Sequence, residues 1–118
     1  MIDLYETDQQ RQSIDIQSYL IRNQPATIAV RCGNDSMKNA GIGIGDILII
    51  DRSLEARNSD IVMANIGAAF TIRRFELVNE IAYLNFDSTI GKFDNYIFRP
   101  QDNMEIVGVV TFVIKAIR

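Results

Sequence analysis

The chain has no histidine, no tryptophan and a single cysteine in 118 residues. Without histidine, every catalytic scheme that uses an imidazole base is excluded, and so is the commonest metal ligand. One cysteine allows neither an internal disulfide nor a thiolate zinc cluster. With no imidazole to activate it, Cys32 reads as a small, half-buried residue at a strand end, not a nucleophile. Positive charge is also scarce: 12 Lys and Arg against 15 Asp and Glu give a net charge of −3. Arg73, Arg74, Lys115 and Arg118 are too few to form a stripe that grips phosphates. No apolar run approaches the ~18 residues of a membrane span. The opening "MIDLYETDQQRQ" has no basic-then-apolar leader pattern. These features point to a soluble cytoplasmic domain with no cofactor, no membrane contact and only indirect contact with DNA.

What is present is a core. Apolar residues make up 47% of the chain, too many for a disordered composition, and the length suits one domain. Residues 1–12 read as a flexible polar arm and residues 13–118 as the domain. "SIDIQSYLIRNQP" predicts a short helix capped at Ser13 and ending before Pro25. "ATIAVRC" reads as a strand. "NDSMKNAGIGIGD" reads as a turn or single helical turn and then a loop. Its glycines lack the Gly-Lys-Ser/Thr ending and following helix of a phosphate-binding loop. "ILIID" reads as a buried strand. "DIVMANIG" and "AAFTIRRFEL" form a hairpin turning at Gly67-Ala68, with Phe70, Ile72 and Arg74 on one face and Thr71, Arg73 and Phe75 on the other. "IAYLNF" alternates again, and "MEIVGVVTFVIKAIR" is a long terminal strand with a bulge or bend at Gly108. The fold class is mostly β: six or seven strands with one or two short helices.

The segment "DSMKNAGIGIGDILIIDRSLEARNSDIVMANIGAAFTIRRFEL" and the ending "VGVVTFVIKAIR" resemble the LexA/UmuD group of serine peptidases. The terminus is similar to the UmuD branch. Five motifs occur in order: the Ser-Met turn, "GDILIID", "DIV", "FTIRR" and "VGVV". The resemblance implies a small twisted β domain that forms homodimers. It implies a serine nucleophile, at Ser36, and a lysine general base that cuts the chain upstream with help from a RecA filament. The processed dimer of the UmuD branch joins a Y-family, UmuC-like polymerase in translesion synthesis during the SOS response. A sliding clamp is a further implied partner.

Three departures qualify what carries over. The base position holds Arg73. A buried lysine can be made neutral by desolvation. Bringing a guanidinium from above ~12 to neutrality at pH 7 costs roughly 7 kcal/mol at 1.36 kcal/mol per unit. A cavity shaped to neutralise lysine is expected to turn the guanidinium out to solvent, leaving Ser36 without a base. Lys38 should point away from Ser36, and Lys92 and Lys115 sit in other elements. Asn34 stands where the family has glycine; asparagine reads there as a turn residue able to take a positive φ. The sole Cys-Gly, the family's cleavage dipeptide in the UmuD branch, is Cys32-Gly33, too near Ser36 to reach its hydroxyl. The expectation is a non-catalytic accessory subunit resembling processed UmuD, its front too short for a repressor's DNA-binding half. The alternative is an active or latent self-cleaving peptidase. The terminal strand, apolar on both faces, predicts that a second copy covers Val110, Phe112 and Ile114 or their alternating neighbours.

Overall fold

A computed structural model describes residues 13–118; the expected arm, residues 1–12, lies outside the described residues. Seven strands form one antiparallel sheet: β1 (Thr27–Arg31), β2 (Ile47–Asp51), β3 (Ile61–Ile66), β4 (Ala69–Val78), β5 (Ile81–Asn85), β6 (Tyr96–Ile97) and β7 (Met104–Ile114). Their spatial order is β1-β2-β7-β3-β4-β5-β6. The fold is mostly β, as the alternation implies. The helix α1 is one short piece, Ile16–Leu20. Its N-cap is Asp15 and not Ser13, and the Asp15 carboxylate accepts a hydrogen bond from the Ser18 hydroxyl at 2.7 Å. Pro25 sits in a single 3-10 turn, Gln24–Ala26, where its missing N–H costs nothing. No helix among the described residues is long and apolar enough to cross a membrane.

Both hairpin turns follow from local stereochemistry. Ile66 pairs with Ala69, leaving Gly67-Ala68 as a two-residue loop, with Gly67 at φ +65°. Glycine first with positive φ suits the twist of the flanking strands. The second turn, Asn79-Glu80 between Val78 and Ile81, places both residues at positive φ. Asparagine tolerates that geometry and glutamate less so.

The terminal strand is central, paired with β2 on one side and β3 on the other. Its register slips twice, passing over Thr111 against β2 and over Val107 against β3. The irregularities are therefore at Thr111 and at Val107, the latter next to Gly108 where a bulge was expected. Gly108 has its own role. A Cβ there would lie 2.7 Å from Ile50 Cγ2 and 2.9 Å from the Asp51 carbonyl oxygen, so glycine lets β7 approach β2.

The interior divides into two clusters. One gathers Cys32, Met37, Ile42, Leu48, Ile50 and Met63, with Ile72 and Val110 against it. The other gathers Val62, Ala64, Phe75, Leu84 and Val109, with Tyr96 against it. In β4, Ile72 belongs to the first and Phe75 to the second, as the expected alternation requires. Part of the outward face of β7 is covered within the chain. The Tyr19 ring of α1 lies 5.3 Å from that of Phe112, and the Arg22 guanidinium 5.1 Å from its centroid. The expectation that a second copy must cover Phe112 is corrected to that extent.

Candidate active site

Ser36 lies in the turn after β1, just before the 3-10 turn Lys38–Ala40. The turn is tied down on several sides. Cys32 N–H donates to the Asp46 carbonyl and Gly45 N–H donates back to the Cys32 carbonyl, both at 2.8 Å. Asp87 N–H donates to the Ser36 carbonyl at 2.8 Å, and Asn39 N–H to the Asp87 carbonyl at 2.9 Å. Met37, fully buried in the first cluster, anchors the turn from below. Ser36 is 1% exposed.

Arg73 reaches this turn from β4. Its Nη1 donates to Ser36 Oγ at 3.0 Å, to the Ile72 carbonyl at 2.8 Å and to Thr71 Oγ1 at 2.5 Å. Its Nε donates to the Asp94 carbonyl at 3.1 Å, and its guanidinium lies 5.7 Å from the Tyr96 ring centroid, within cation–π range. The side chain is not turned out to solvent: Arg73 is 4% exposed. The acceptors that surround it, two of them backbone carbonyls, explain why it stays inside. Burial pushes its pKa below the ordinary value, while Tyr96 and Asp94 act the other way. No carboxylate pairs with it among the described residues; the ion pairs there are Arg74–Asp87, Arg99–Asp102 and Lys115–Asp46.

The Ser36 hydroxyl is thus committed twice. It accepts from a guanidinium N–H and donates to the Ile72 carbonyl at 3.3 Å. Lys115 is held by Asp46, and the Lys38 ammonium lies beside Gly43, so neither lysine reaches Ser36 among the described residues. Arg74 is also occupied, donating to the Ser59 carbonyl and pairing with Asp87.

Asn34 is a turn residue, as expected. Its φ is not positive. Instead its side-chain Oδ1 accepts the Ser36 N–H at 2.9 Å, closing a local Asx turn. Cys32, more buried than expected at 7% exposure, directs its Sγ to the Asn34 carbonyl at 3.1 Å. A cleft of about 300 Å³ runs alongside, walled by Val30–Asn34, Met63 and Phe70–Ile72. Thr71, Asp94 and Tyr96 are the participants that sequence reasoning missed. Thr71 was within reach, two residues before Arg73 on the same strand face; Asp94 arrives from the loop before β6 and Tyr96 from the two-residue β6, neither of which carries a pattern.

The Asp46–Lys115 pair fastens the end of β7 to the glycine loop. Asp46 also accepts the Gly43 N–H at 2.8 Å. Its carboxyl is held below the ordinary range, first by that N–H and then by Lys115, with burial opposing. A folded pKa below the unfolded one stabilises above the unfolded value and is lost as pH falls through the folded value. Thermal melts should therefore show stability declining below about pH 4, and Asp46→Asn should flatten that decline while lowering stability at neutral pH. Parallel curves for the two proteins would contradict this role.

A serine in a turn, met by a basic side chain from a neighbouring strand in a mostly β domain, is the layout of peptidases that use serine with a basic partner in place of histidine. The chain belongs to the peptidase S24-like family, whose description matches residues 2–111, and this is the LexA/UmuD-type family its motifs resemble. It is 34% identical to Protein ImpA of Salmonella typhimurium over 112 residues, 95% of this chain and 74% of that protein. It is 32% identical to Protein SamA of Salmonella typhimurium over 111 residues, 94% of this chain and 75% of that one. It is 38% identical to the LexA repressor of Shewanella sediminis over 63 residues, 53% of this chain and 31% of the repressor.

Proposed function

We propose that this protein is a non-catalytic accessory subunit of a translesion polymerase, a UmuD-type member of the family acting in SOS mutagenesis with its serine–base pair disabled by Arg73. One observation carries the reading: Ser36 Oγ lies between a guanidinium donor and a backbone carbonyl, with no neutral base on it. Serine attacks only when something removes its proton, and a guanidinium remains protonated through the accessible pH range. The kinship with ImpA and SamA, spanning nearly the whole chain, supports the UmuD-like side of the family. In this role the protein acts in the cytoplasm as a homodimer. It binds a UmuC-like Y-family polymerase, and it meets DNA, the RecA filament and the sliding clamp only through that assembly.

The test is co-expression with a UmuC-like polymerase. The two should elute together from size exclusion, and the Ser36→Ala variant should elute with the polymerase equally well. Failure to co-elute, or co-elution that depends on the Ser36 hydroxyl, would count against an accessory role independent of catalysis.

A further inference from the structure

Ser36 has a second commitment besides its hydroxyl. In acyl transfer, a base takes the serine proton and Oγ bonds to the substrate carbonyl carbon. The C=O electron pair moves onto oxygen. That oxyanion needs donors, and the nucleophile's own backbone N–H recurs as one of them. When the intermediate collapses, the C–N bond breaks, the base returns its proton to the leaving amine, and water later hydrolyses the ester. In this chain the Ser36 N–H is already taken by Asn34 Oδ1 at 2.9 Å. The oxygen that holds it carries the negative end of the amide dipole, where a substrate oxyanion would have to develop. The Cys32 Sγ contact to the Asn34 carbonyl holds the residue from its other side. Asn34 also stands in the wall of the 300 Å³ cleft, whereas Ser36 is not among its lining residues and is 1% exposed.

We propose that Asn34 is a second lock on this site: its side chain occupies the Ser36 amide and closes the cleft against the serine, so that restoring a lysine at Arg73 is not sufficient for acyl transfer. The inference rests on the reading of Arg73 above and adds a separate cause. Asn34 is a positioning residue, acting through the Ser36 amide.

The probe is p-nitrophenyl acetate, with acetylation of Ser36 followed by mass spectrometry and p-nitrophenolate release by absorbance. The proteins compared are wild type, Arg73→Lys, and Arg73→Lys combined with Asn34→Ala or Asn34→Gly. One oxyanion donor is worth about 10²–10³-fold in rate. The double variants should acetylate Ser36 at least ~100-fold faster than Arg73→Lys alone. Equal rates for the single and double variants, or no acetylation in any of them, would overturn the second lock. Acetylation of wild-type Ser36 would instead overturn the reading of Arg73 itself. Hydrogen exchange gives an independent readout in Asn34→Ala alone. The Ser36 amide should exchange about 5-fold faster, as expected for loss of a bond worth about 1 kcal/mol, while the amides of β2 and β7 keep their rates. An unchanged Ser36 amide would overturn the proposal.

Discussion

Arg73→Ala should lower the unfolding free energy by about 2–4 kcal/mol, a large share of the 5–15 kcal/mol typical of a domain. Two effects oppose one another. Removing the side chain abolishes a buried charge that has no carboxylate partner, and that alone would stabilise. It also strips charged hydrogen bonds from Ser36 Oγ, Thr71 Oγ1 and the carbonyls of Ile72 and Asp94, and leaves a void beside Tyr96. Bonds from a charged donor contribute about 1.5–3 kcal/mol each, and cavities add to the loss. The lost bonds outweigh the relieved charge because one guanidinium ties three separate pieces of chain together: the Ser36 turn, β4 and the loop before β6. Arg73→Met fills the void without replacing the donors and should recover only part of the loss. Urea unfolding of the three proteins reads the difference. If Ala and Met both lie within about 0.5 kcal/mol of wild type, the pinning role is wrong.

The second large effect concerns assembly. We propose a symmetric homodimer built on the outward face of β7 and α1. Phe112 and Ile114 share one face of β7, facing Ile49 and Ile47 across the ladder. Tyr19 covers Phe112, yet Tyr19 is itself 57% exposed and Ile114 39% exposed, and Ile16 and Ile117 add further exposed apolar surface. Such surface calls for a partner, and a second copy is the commonest one. Wild-type protein should sediment at micromolar concentration as twice the 13.3 kDa chain mass. Ile114→Glu places a charge in each half of the interface. An uncompensated buried charge costs about 3–5 kcal/mol, so association should weaken by at least ~100-fold and give monomers. A soluble wild-type monomer across that range would remove the dimer. Ile114→Glu leaving the dimer intact would move the interface elsewhere.

How much could be read in advance differed by element. The strands with clear alternation, β4 and β5 above all, were legible, as was the Gly67-Ala68 turn, because period and turn chemistry are local. β6 was not, since two residues, Tyr96 and Ile97, carry no period. Ser36 and Arg73 meet as the family motif implies, but the burial of the guanidinium was missed. Desolvation alone would turn it out, whereas the compensating acceptors include the Asp94 carbonyl, 21 residues away. Asn34 was read through its backbone, and its side chain proved to matter: an Asn two residues before an N–H is an Asx-turn signal that could have been used. The cap at Ser13 failed because the helix starts later, at Ile16, where Asp15 stands ready.

The central claim is that Ser36 has no base. Its most direct test is cleavage in trans. The protein is incubated with a RecA filament on single-stranded DNA and a tailed UmuD-type relative whose own serine is replaced by alanine, from neutral pH to about pH 10, where a lysine base loses its proton. Fragments are followed by mass spectrometry. With Arg73 in place, no product should form at any pH, because the guanidinium stays charged throughout. A product that rises with pH and disappears in Ser36→Ala would contradict the account.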